Sequence, residues 1–160
     1  MKIESNKMER AMFAAGCFWG VEDAFTQLPG VTSTTVGYSG GHTKNPSYRE
    51  VCTDRTGHAE VVLVEYDPTR VSYRHLADHF FTMHDPTTLN RQGPDEGTQY
   101  RSAIFCFSPE QEKDAREALL EAQKRFSKEV VTEIKQAGEF YRAEDYHQKY
   151  HQKHGGHCNV

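Results

Sequence analysis

Between residues 12 and 134 the apolar residues change period repeatedly, and that alternation leaves few folds open. Residues 12–15 form a short apolar run closed by Gly16, which reads as a strand. Phe18, Val21, Ala24, Phe25 and Leu28 then recur at helical spacing over 17–28, until Pro29-Gly30 stops the helix. Residues 31–38, rich in Thr and Val, predict a second strand, and 58–66, almost continuously apolar and β-branched, a third. Ser72 is positioned to cap a helix carrying Leu76, Phe80 and Met83, and residues 100–107 predict a fourth strand. In Ser108-Pro109-Glu110-Gln111 a capping Ser, a first-turn Pro and a Gln able to close a capping box start a helix to about 126. A fifth strand is expected at 130–134. The order β-α-β-β-α-β, followed by another helix and strand, is the split β-α-β pattern of an α/β two-layer sandwich with a ferredoxin-like core.

No repeat or linker interrupts this order, and a length of 160 residues suits one domain over 1–160, with its core at about 10–150. A chain of this size buries about 68–70% of its unfolded surface, enough for a core without disulfide or metal staples. The net charge of −4 is spread through both signs, so no basic patch marks a nucleic-acid partner. The first ten residues lack the apolar stretch of a signal peptide, and no run approaches the ~18 apolar residues of a membrane span. The expectation is a cytoplasmic protein. The tail 151–160, HQKHGGHCNV, has no apolar period and is expected to be mobile.

Two stretches, 39–57 and 85–99, are long, Gly-rich and polar, yet contain Tyr48, Asp85, Arg91 and Asp95. Loops of that length in a compact domain are more often functional than idle. The four cysteines, Cys17, Cys52, Cys106 and Cys158, are too scattered for a disulfide scaffold. Each is therefore inert, a metal ligand or reactive.

Cys17 follows Gly16 where a strand gives way to a helix. The unpaired N–H groups and partial positive charge of a helix N-terminus favour a thiolate there. A dipole contribution of ~1–2 kcal/mol lowers a thiol from ~8.5 by about one unit, close to neutrality. A small buried cysteine is the competing interpretation. Phe18 and Trp19, the only Trp, follow at once with Gly20 behind them, and such an aromatic pair can wall a small apolar group or simply fill the core.

The run Gly16-Cys17-Phe18-Trp19-Gly20 resembles the signature of the A-class peptide methionine sulfoxide reductases. The resemblance extends through 48–52 (YREVC), 57–61 (GHAEV), 84–86 (HDP), 91–93 (RQG), 97–102 (GTQYRS) and 143–148 (AEDYHQ), covering about residues 12–150. It implies reduction of methionine S-sulfoxide to methionine, with Cys17 as the nucleophile. Glu60 would supply a proton. Its strand neighbours are apolar and a like charge would face it, so its carboxyl is expected to stay protonated. Tyr48 and Tyr100 would hydrogen-bond the sulfoxide oxygen, Asp95 would line the same pocket, and Phe18 and Trp19 would surround the S-methyl group. The resulting sulfenic acid would condense with a second thiol, and thioredoxin or another thiol would then reduce the disulfide, with no bound cofactor.

Cys106, in the apolar run 104–107, reads as core. Cys158, behind Gly155-Gly156, is the favoured resolving cysteine, with Cys52 as the alternative. Many relatives carry that cysteine in a longer tail, and Arg142 stands where relatives often have proline. Two rival classes remain. His147, His151, His154, His157 and Cys158 could form a zinc module, with His147 and His151 on one helix face. A thiol peroxidase or redox sensor would also want a thiolate at Cys17.

Overall fold

The computed structural model describes residues 7–150. The elements in chain order are β1 (Glu9–Ala15), α1 (Phe18–Thr26), β2 (Val31–Ser39), α2 (Tyr48–Cys52), β3 (Ala59–Tyr66), α3 (Tyr73–Phe80), β4 (Arg91–Gln92), β5 (Asp95–Glu96), β6 (Ser102–Cys106), α4 (Pro109–Gln123), β7 (Glu133–Gln136) and β8 (Phe140–Arg142). Short 3-10 turns precede β6 at Thr98–Tyr100 and follow β8 at Asp145–His147. Six strands form a mixed sheet in the order β7-β6-β1-β3-β2-β8, in which only the β6–β7 pairing is parallel. β4 and β5 make a separate hairpin across Gly93-Pro94, with Gly93 at φ 58°.

The period-2 pattern sorts side chains to the two faces of the sheet. Ala11, Phe13, Val62, Val64 and Ile104 join the helices in one large core, while Met12, Ala14, Val61 and Ala103 form a smaller cluster opposite. Phe13 anchors the helical side, stacking on Phe25 at 4.9 Å and Phe80 at 5.3 Å. Ser72 and Ser108 cap α3 and α4 as expected, accepting from the backbone N–H of His75 and Gln111.

Differences from expectation fall where side chains redirect the backbone. The expected strand at 130–134 begins only at Glu133. Before it, Val131 N–H donates to the carbonyl of Pro86 at 2.8 Å and so fastens the 85–99 loop, while the Thr132 hydroxyl meets Ser102 of β6 at 2.7 Å. The strand expected at 100–107 is shortened to Ser102–Cys106 by the 3-10 turn before it. α2 lies inside the stretch expected to be loop, held by a full capping box between Ser47 and Glu50. Its Ser-x-x-Glu signal is present in the sequence. Strand β8 carries no comparable signal.

Candidate active site

Gly16 adopts φ 97°, turning the end of β1 directly into α1. A Cβ there would lie 2.9 Å from Gln92 Cβ and Cγ, so the missing side chain also lets the β4–β5 hairpin close against the junction. Gln92 is itself fixed by paired bonds to the backbone of Asp85, 2.9 and 2.8 Å. Cys17 is the N-cap residue of α1 and partly exposed. Its position at the helix terminus matches the sequence expectation.

The first N–H of that helix is taken by another chain segment. Phe18 N–H donates to Glu60 Oε1 at 3.1 Å, which fixes the carboxyl beside the residue that follows Cys17. Glu60 is 1% exposed on β3, opposite Tyr38 of β2. Its chain neighbours divide as the sequence indicated, with Val62 in the large core and Val61 on the other face.

Three phenols surround this carboxyl. Burial pushes the Tyr48 hydroxyl well above its ordinary range, and Glu60, once ionised, adds to it. Tyr100 is raised by the same two causes, with further contributions from Cys52, Asp95 and Cys17. Tyr38 is raised by burial and then by Glu144 and Glu60. All three are thus held as neutral O–H donors. Asp95, in β5, is also raised, by burial. Cys17, Glu60, Tyr48, Tyr100 and Asp95 therefore converge on one region, although they come from five separate segments.

The supports of these groups are less visible in the sequence. Glu144 accepts from Tyr48 N–H at 3.0 Å and from the Tyr38 hydroxyl at 3.2 Å. Burial alone would raise its carboxyl, but these hydrogen bonds outweigh burial and its pKa falls below the ordinary value. Asp54 takes both the N–H and the hydroxyl of Thr98, which ties the turn carrying Tyr100 to the segment after α2. His58 braces the 39–57 stretch, with Nδ1 accepting from Gly41 N–H at 3.0 Å and Nε2 lying 2.6 Å from the Thr43 carbonyl.

An aromatic wall stands beside the cluster. Phe18 is 1% exposed, its ring against Tyr38 and His147, whereas Trp19 is only half-buried. Trp19 stacks on Tyr150 at 3.8 Å and donates through Nε1 to His147 Nδ1 at 3.0 Å. The segment after β8 is clamped in place. Gln148 bonds both N–H and C=O of Val36, at 2.9 and 3.0 Å. The buried Glu22 carboxylate receives Lys149 N–H at 2.7 Å and Lys149 Nζ at 3.1 Å.

Cys106 is buried in β6, and burial pushes its thiol up. Cys52 is exposed one helical turn from Tyr48 and hydrogen-bonded to its hydroxyl; burial is the main cause that raises its pKa. Cys158 lies outside the described residues, as do His151, His154 and His157. Of the suggested zinc cluster, only His147 is described. The 3-10 turn Asp145–His147 ends before Lys149, which is at φ 55°, and the expected pairing of His147 with His151 falls outside the described residues. Among the described residues no three His, Cys, Asp or Glu side chains group as a metal site. The arrangement that is present, a thiol at a helix terminus with a carboxyl and phenol donors beside an indole, suits thiol attack on a polar X=O group borne by a small apolar moiety.

Comparison with known proteins agrees. The family profile described as peptide methionine sulfoxide reductase matches residues 9–160. The chain is 60% identical over 151 residues to the peptide methionine sulfoxide reductase MsrA of Methanoculleus marisnigri, covering 93% of this chain and 92% of that one. Among solved structures, Mxr1 from Saccharomyces cerevisiae in reduced form superposes with a TM-score of 0.91 at 37% identity, covering 99% of this chain and 92% of that one. The same yeast protein in complex with Trx2 superposes at 0.66 and 27% identity, covering 94% and 89%. The chain belongs to the peptide methionine sulfoxide reductases of the A class, a family of oxidoreductases.

Proposed function

We propose that this protein reduces methionine S-sulfoxide, free or within oxidised proteins, to methionine through Cys17. The thiolate of Cys17 attacks the sulfoxide sulfur while Glu60 delivers a proton to the oxygen. Tyr48 and Tyr100 hold that oxygen by their O–H groups, and Trp19 and Phe18 enclose the methyl. The S–O bond breaks, the hydroxyl passes to Cys17 as sulfenic acid, and methionine leaves with the electron pair on sulfur. Cys158 thiol then attacks the sulfenic acid sulfur and expels water, forming a disulfide. A thioredoxin reduces that disulfide, a step supported by the Trx2 complex of the yeast relative. The electrons come from thiols throughout, so no resident cofactor is invoked.

The observation that carries this reading is the bond from Phe18 N–H to Glu60 Oε1 at 3.1 Å, which fixes an acid at the helix terminus capped by Cys17. We also infer a ferredoxin-like split β-α-β core in a single domain, supported by the central order β6-β1-β3-β2. A reducing, cytoplasmic setting suits the cycle. The test is a single turnover. Reduced enzyme mixed with methionine sulfoxide, without reductant, should yield one methionine and lose two thiols, and Cys17→Ser should do neither. Methionine formed by Cys17→Ser would overturn the assignment.

A further inference from the structure

The indole of Trp19 has one edge fixed by a residue that the proposed chemistry does not use. Trp19 sits in the first turn of α1 and is half-buried, so its ring needs outside support to form a wall of fixed shape. Tyr150 covers one face. The indole N–H is taken by His147 Nδ1 at 3.0 Å.

His147 is well placed to impose an orientation. It is 1% exposed and its ring lies 4.3 Å from Tyr48, 4.1 Å from Tyr146 and 5.3 Å from Phe18. One imidazole thus touches three side chains of the proposed pocket, drawn from α1 and α2. Because Nδ1 accepts from Trp19, the ring is neutral with its proton on Nε2. That Nε2 is buried and meets no protein partner among the described residues. A second proton on Nδ1 would set N–H against N–H and expel the indole.

We infer that His147 is a positioning residue for substrate binding: its neutral imidazole holds the Trp19 indole by Nδ1 and so shapes the cage for the sulfoxide's methyl group. The inference rests on the proposed role of Trp19 in that cage. The titratable groups facing His147 are Tyr48 from α2 and Glu144 and Tyr146 from its own segment; α1 presents only Phe18 and Trp19. Glu144 favours the imidazolium, but burial is the larger influence and lowers the His147 pKa from its ordinary value.

Asparagine and glutamine separate this role from mere packing. The Asn oxygen overlays Nδ1, whereas the Gln oxygen overlays Nε2 and cannot reach the indole N–H. His147→Gln should raise KM for methionine sulfoxide about tenfold, the loss of one well-placed buried hydrogen bond, with single-turnover yield intact. His147→Asn should stay within about twofold of the wild type. Trp19 is the only Trp, so its emission reports on this bond directly. Emission should shift in the Gln variant and not in the Asn variant. In the wild type it should fall with acid at a midpoint below 6.5, and that titration should vanish in both variants. Equal KM and equal emission for Asn and Gln would overturn the inference. A Trp19→Phe variant with unchanged KM would instead remove the cage itself, and a wild type unable to reduce the sulfoxide would remove the proposed function.

Discussion

Glu60 occupies an unusual place for a carboxyl, on a central strand with 1% of its surface exposed and one oxygen held by Phe18 N–H. Its setting in the sequence is a reason to look there, since an acid between apolar β-branched residues is costly unless it has a task. The partner is not legible in the same way, because a backbone N–H 42 residues distant leaves no trace in side-chain pattern. Glu60→Gln keeps the size and still accepts from Phe18 N–H, but it cannot release a proton. The rate of methionine formation should fall by about 10²–10⁴ while KM changes little. A loss below about threefold, measured over a pH series, would move the acid to another residue. Glu144 and His147 escape sequence reading for a related reason. Their motif is recognisable as a unit, yet the contacts that give each a role are tertiary.

At the scale of elements, the regular ones are legible in the sequence and the irregular ones are not. β1, α1, β2, β3 and α4 follow clean periods, so their faces and most of their ends can be read from spacing. α2 is only five residues long, too short to hold itself together in water. It exists because Ser47 and Glu50 close a capping box and because Glu144 anchors Tyr48 N–H. Ser47→Ala should cost about 1 kcal/mol. Since α2 carries Tyr48, catalysis should fall along with the melting temperature, whereas Ser108→Ala at the start of α4 should lower only the melting temperature. Equal activity in the two variants would separate α2 from the site. His84 fastens the other irregular stretch, with Nδ1 donating to the Phe80 carbonyl at 2.9 Å and Nε2 accepting from Ser102 at 2.8 Å. Burial lowers its pKa from 6.5 to about 4. The unfolded histidine gains its proton near 6.5, before the folded one does. Stability is therefore fully present above that pH and is lost as pH falls towards 4, by about 1.4 kcal/mol for each pH unit crossed between the two values. Urea melts at neutral pH and at about 4.5 should show this slope in the wild type and a shallower one in His84→Leu. Identical slopes would place the acid sensitivity elsewhere.

For the whole molecule, recycling is the step that must join distant parts of the chain. Cys17 is fixed at the start of α1, and the segment 147–150 is clamped to α1 and β2 by Gln148, Lys149 and Glu22; the last ten residues lie outside the described ones. Cys158 lies among those ten. Cys106 is enclosed in the core and Cys52 is exposed on α2, so Cys52 is the competitor. Cys158→Ser leaves Cys17, Glu60 and the pocket untouched, so a single turnover should still release one methionine per enzyme. Thioredoxin-linked turnover should collapse, because thioredoxin attacks a disulfide and the variant offers only a sulfenic acid. Dithiothreitol, small enough to reach that acid directly, should restore part of the rate. Mass spectrometry of the wild type after turnover should show Cys17 joined to Cys158, which requires a Cα separation of ~4.4–6.8 Å in the oxidised state. Were Cys17 instead joined to Cys52, Cys52→Ser would take over the phenotype expected of Cys158→Ser, and recycling would lie within the described residues.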